Sequence, residues 1–131
     1  MEMGTSGSTS AFTGRSRSIS TSLKQFDLPS LIEKMKDSRS WKNGELKTLT
    51  LLNAPGRQIV LTALHEGTEV DSFQTCHSIT FQIVEGRILF RTSKKSQFID
   101  EGQTLTLYEN IKYSFTASEE TVVLLTLANC N

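Results

Sequence analysis

The sequence predicts an all-β sandwich or barrel led by one short helix. Three observations carry this. Eight or nine short runs rich in Val, Ile, Thr, Phe and Leu follow residue 45, several of them alternating apolar with polar. Glycine-bearing turns punctuate those runs at regular spacing. Helical periodicity is confined to one stretch ahead of them. Many short strands with turn chemistry between them argue for two packed sheets or a closed barrel.

That helical stretch carries Leu28, Leu31, Ile32 and Met35, with Glu33, Lys34, Lys36 and Asp37 between them. Asp27 or Ser30 can cap its start and Pro29 suits a first turn. The spacing predicts a helix over about 29–37. Its narrow apolar stripe suits packing against a sheet. Trp41 follows, placed to anchor the junction of helix and strand. The period then switches to two. Leu46–Leu52 reads as a strand, broken by Ala54-Pro55-Gly56. Arg57–Leu64 is a second, followed by His65-Glu66-Gly67, where His65 reads as a surface turn residue. Thr80–Val84 and Arg87–Arg91 read as a hairpin joined across Glu85-Gly86. Ser93–Ser96 is a polar turn with Lys94 and Lys95 at its tip. Short strands follow at 97–99, 104–107, 113–116 and 121–127.

The 131 residues suit one domain, placed at 23–131, long enough to bury a core unaided. Residues 1–22 are Ser/Thr-rich and poor in large apolar side chains, which predicts a flexible tail. Arg15 and Arg17 against Glu2 make that tail a weak match to an organellar transit peptide, and a leader or plain tail explains it as well. The formal net charge is zero, so no electrostatic footprint for nucleic acid or an anionic membrane is expected. No run approaches the ~20 apolar residues that span a bilayer. Cys76 and Cys130 are too few for a disulfide scaffold and read as two free thiols in a reducing cytoplasm in preference to a bridge between them.

The spacing of residues 67–86 and 102–117 resembles the two motifs of the cupin family, G-x5-H-x-H-x3-E-x6-G and G-x5-P-x-G-x2-H-x3-N. Gly67, Gly86 and Gly102 match. The stretch Ser78–Phe90 is similar to the strand, Glu-Gly turn and return strand of the first motif, and Val122–Leu127 resembles the closing strand of small cupins. The resemblance implies a jelly-roll β-barrel over about 45–128. It also marks where the chain departs. Phe73, Thr75, Ile79 and Tyr113 stand at the four metal-ligand positions, and Tyr108, Asn110 and Ala117 replace Pro, Gly and Asn of the second motif. A mononuclear centre needs three or four convergent N/O donors. Phe and Ile supply none, and the chain has only two histidines. The expectation is therefore no metal and no cofactor.

Side chains two apart on a strand share a face. The resemblance then turns Phe73, Thr75, Ile79 and Tyr113 into the barrel. They form either an ordinary packed core or an apolar ligand pocket with a phenol and a hydroxyl as polar handles. His77 shares their parity but lies near a predicted turn, where a solvent-exposed loop histidine is the plainer reading. If it reaches Tyr113, the two could act as a base–acid couple, as in metal-independent cupins resembling deoxysugar epimerases. The functional expectation is a metal-free, non-catalytic cupin that binds a small molecule or acts as an interaction module. The alternative is a metal-independent isomerase or epimerase using the Tyr/His couple. A homodimer is expected, because small cupins commonly pair and because Leu46–Leu52 leaves an edge to cover.

Overall fold

The computed structural model describes residues 23–72, 76–108 and 111–130. The Ser/Thr-rich tail, Phe73 and Thr75 lie outside them. Helix α1 spans Leu28–Lys36, with the Asp27 side chain accepting from the Ser30 N–H and Pro29 in the first turn. A four-residue turn of helix, α2 (Arg39–Lys42), is capped by Ser38 and carries Trp41. Among the described residues nine strands follow: β1 Lys47–Ala54, β2 Arg57–Leu64, β3 Glu69–Ser72, β4 Cys76–Glu85, β5 Arg87–Arg91, β6 Ser96–Asp100, β7 Thr104–Leu107, β8 Tyr113–Ala117 and β9 Thr121–Cys130. They form two antiparallel sheets, ordered β1-β2-β9-β4-β7 and β3-β8-β5-β6.

One face of each sheet turns inward. Leu64, Ile79, Phe81, Ile83, Ile88, Phe90, Ile99, Tyr113, Phe115, Ala117 and Val123 fill the space between them. The other face of the larger sheet is covered too. Ile32 and Met35 of α1 and Trp41 of α2 pack on Leu51, Leu61, Ala63 and Val122. This double cover explains why residues 61–64 and 121–123 are buried without alternation. A central strand with both faces covered reads as a continuous apolar run.

The expected hairpin between β4 and β5 does not exist. β4 pairs with β9 and β7, whereas β5 pairs with β6 and β8. Glu85-Gly86-Arg87 is instead the corner where the chain leaves one sheet for the other. Gly86 has φ +90°, and an added Cβ would strike the Glu120 carbonyl oxygen and lie 2.5 Å from Thr121 Oγ1. The corner is tied to the start of β9 by the fully buried Thr121. Its hydroxyl accepts from the Arg87 N–H at 3.1 Å and has the carbonyls of Arg87 (3.0 Å) and Glu119 (2.7 Å) as acceptors. A glycine at positive φ serves a two-residue turn and a sheet-to-sheet corner equally well, so the local pattern fits both. The hairpin tip at Ser93–Ser96 is real: β5 and β6 pair around it, and Thr92 N–H donates to the Lys95 carbonyl at 2.8 Å.

Two contacts fasten the helical layer to the barrel. His65 is not a plain surface residue. Its ring stacks on Trp41 at 3.5 Å between centroids and 17° between planes, and its Nε2 lies 2.9 Å from the Trp41 carbonyl. His65→Ala is expected to lose about 1–2 kcal/mol through the stack and the hydrogen bond. Trp41 is the single tryptophan, so its emission should move to the red in the same variant. Unchanged emission with unchanged stability would show that the stack does not form in solution.

Lys36 Nζ reaches Glu85 Oε1 at 2.9 Å and Glu120 Oε2 at 2.7 Å, bridging α1 to the corner just described. Burial of the ammonium lowers its proton affinity and is the largest single influence. The two carboxylates together outweigh it and hold the Lys36 pKa above 10.5. A folded-state pKa raised above the unfolded value stabilises below the unfolded pKa, and that stabilisation is lost as pH rises through the folded one. The gap in melting temperature between the native chain and Lys36→Met should therefore be full at neutral pH and close above pH ~10.5. A gap that stays constant to higher pH would mean the ammonium is not the source.

Candidate functional site

Two of the four ligand positions of the motif frame lie within the described residues. Ile79 on β4 and Tyr113 at the start of β8 join the same buried cluster, at 3% and 8% exposure. Around them lies an aromatic group centred on Phe81. Its ring meets Phe90, Tyr113 and Phe115 edge to face, at centroid distances of 5.4, 5.3 and 5.5 Å. Phe90 and Tyr113 stack at 5.5 Å. Such offset and T-shaped pairs are the favoured aromatic geometries. The described part of the interior is thus packed rather than hollow.

His77 lies within β4, not in a turn, and shares the parity of Ile79, Phe81 and Ile83. Its side chain is nevertheless exposed. Parity fixes the face of a sheet, but His77 sits near the strand's end, where the opposing sheet no longer covers it. The structure thus joins Ile79 and Tyr113 in one core and leaves His77 in solvent.

Two recesses adjoin Thr92, and a third lies along α1 at Glu33, Lys34, Lys36 and Asp37. A cleft of about 510 Å³ opens beside Tyr113, lined by Asp71, Arg91, Thr92, Ser93, Lys112, Tyr113 and Ser114. These come from the ends of β3 and β5, the start of β8 and the adjoining loops. Arg91 is held on the outer face, where its Nη2 donates to Glu69 Oε2 and to Thr116 Oγ1, both at 3.0 Å. Lys112 is exposed on the rim. A smaller recess of about 240 Å³ shares Thr92 and is mostly apolar, with Phe90, Leu105, Leu107 and Ile111 on its walls. It lies where the edge strand β7 of one sheet faces β5 and β6 of the other. Sequence reading missed Arg91, Ser93, Lys112 and Ser114. Their positions on strand ends and loops carry no periodic signal, and only the pairing of β3, β5 and β8 gathers them.

The donor set does not suit a cupin metal centre. At the described ligand positions Ile79 offers only hydrocarbon, and Tyr113 is enclosed by aromatic rings. Among the described residues no group of three or more His, Cys, Asp or Glu side chains could hold a metal ion.

Two facing antiparallel sheets in this order, with a glycine corner and a buried return strand, make the chain a cupin-type jelly-roll fold. Solved structures agree on that fold. A cupin superfamily protein from Desulfitobacterium hafniense is similar at TM-score 0.66 and 14% identity, over 80% of this chain and 90% of that one. A conserved protein of unknown function from Streptococcus pyogenes matches at TM-score 0.62 and 19% identity, over 67% and 77%. Salicylate 1,2-dioxygenase from Pseudoaminobacter salicylatoxidans matches at TM-score 0.67 and 13% identity, over 79% of this chain but 32% of that enzyme. No protein-family model and no curated protein matches the sequence. Among the described residues no helix is long and apolar enough to cross a membrane.

Proposed function

We propose that this chain is a metal-independent, non-catalytic cupin-fold module that binds a small polar molecule in the cleft beside Tyr113. The observation that carries the reading is the cleft of about 510 Å³ beside Tyr113. Concave sites with a few convergent polar groups above an apolar base are the usual setting for small ligands. Here Ser93 and Ser114 offer hydroxyls, Lys112 offers a cation, and Asp71 and Tyr113 belong to the lining. The packed aromatic interior supports binding in this surface cleft rather than deep in the barrel. The burial of Tyr113 and the exposure of His77 favour binding over acid–base chemistry by that couple.

The test is a screen of small metabolite-like mixtures against the isotope-labelled full chain, read as amide shift changes. Binding should perturb residues 91–93 and 112–114 together. For any anionic hit, Lys112→Glu should weaken affinity about tenfold, corresponding to ~1.4 kcal/mol. Elemental analysis of chain purified without chelator should show no stoichiometric metal. Shifts confined to other surfaces, or a stoichiometric transition metal, would overturn the reading.

A further inference from the structure

The chain contains two cysteines, far apart in sequence, and the β4–β9 ladder sets them opposite each other. Cys76 opens β4, Cys130 closes β9, and the two are register partners. The neighbouring rungs Ser78↔Ala128 and Ile79↔Leu127 keep the same register. It holds although Asn129 between them takes a left-handed φ of 56°. Directly opposed residues of an antiparallel pair have Cα atoms about 4.5 or 5.5 Å apart, depending on the hydrogen-bonding position. Both spacings fall within the ~4.4–6.8 Å that disulfides span. We propose that Cys76 and Cys130 are a redox-responsive pair that closes an intrachain disulfide across the last rung of this ladder.

The chemistry requires an oxidant, and a small disulfide such as oxidised glutathione supplies it. The thiolate of one cysteine attacks a sulfur of the small disulfide, forming a mixed disulfide and expelling one small thiolate. The thiolate of the second cysteine attacks the protein-side sulfur and expels the other. Two protein thiols are oxidised, one small disulfide is reduced to two thiols, and the two protons end on the released thiols. Closing the bridge ties the end of β9 to the start of β4. The redox state would then set how firmly that end of the barrel is held. The inference stands independently of the binding reading.

The experiment equilibrates the full chain with reduced and oxidised glutathione over a range of ratios, in native buffer and in denaturant, then quenches and measures mass. In native buffer the intact mass should fall by two hydrogens, and digestion should yield a peptide linking Cys76 to Cys130. The equilibrium constant for bridging should exceed the denatured value by at least about tenfold, because folding raises the effective concentration of one thiol at the other. Cys130→Ser should leave Cys76 only as thiol or mixed disulfide. Equal constants in the two buffers, products limited to mixed disulfides, or bridges between two chains would each overturn the proposal. The wild-type comparison decides the matter even if the serine variant misfolds.

Discussion

Phe81→Ala should lower the free energy of unfolding by about 4 kcal/mol, within the ~3–5 kcal/mol typical of a buried phenylalanine reduced to alanine. The ring is fully buried and meets Phe90, Tyr113 and Phe115 edge to face. Its removal abandons three aromatic pairings, each worth about 0.5–1.5 kcal/mol beyond area burial. It also leaves a void between two sheets that cannot close without breaking their ladders. A domain of this size is commonly stable by only about 5–15 kcal/mol, so the loss is a large share of the whole. Urea titration should show a lower midpoint with an unchanged slope. A loss below ~1 kcal/mol would mean that the sheets do not pack around this ring.

Gly86→Ala should be comparably damaging, at about 3–5 kcal/mol, for a different reason. Part of the cost, about 1–2 kcal/mol, is a side chain held at positive φ. The rest is crowding. The new methyl would meet the Glu120 carbonyl oxygen, Thr121 Oγ1 at 2.5 Å and Thr121 Cα at 2.8 Å, two of them backbone atoms that cannot rotate away. Gly56→Ala separates the two effects. Gly56 also has positive φ, at +76°, but nothing stands within 4 Å of its missing Cβ. It should lose only about 1–2 kcal/mol. Thermal or chemical unfolding of both variants checks the difference. Equal losses would show that the corner at Gly86 relaxes and that close approach to β9 does not govern it.

Much of this architecture is legible along the chain. β2, β5 and β7 begin and end where their alternation and turns place them, and α1 differs from its expected span by a residue at each end. The stripe of Leu28, Ile32 and Met35 foretells a helix lying on a sheet. β3 is invisible by comparison. Glu69-Val70-Asp71-Ser72 has one large apolar side chain in four, and its strand conformation comes from pairing with β8. The spacing of Gly67, Gly86 and Gly102 indicates the fold even though the residues at its chemical positions have changed. The likeness puts Ile79 and Tyr113 at inward strand positions, and both are buried in the core, but it cannot find the serines and cations that rim the cleft.

The division follows from the range of the forces involved. Strand alternation, helical periodicity, capping by Asp27 and the positive φ at Gly86 depend on a residue and its near neighbours, so the order of amino acids alone dictates them. Which sheet a strand enters depends on partners far along the chain. Glu85-Gly86 reads locally as a hairpin, yet the Thr121 hydroxyl and the β9 backbone make it a corner. In the same way Trp41 finds His65, Lys36 finds Glu85 and Glu120, and Cys76 comes into register with Cys130. Those encounters follow from packing two sheets and a helix against one another, a three-dimensional constraint with no counterpart in local pattern.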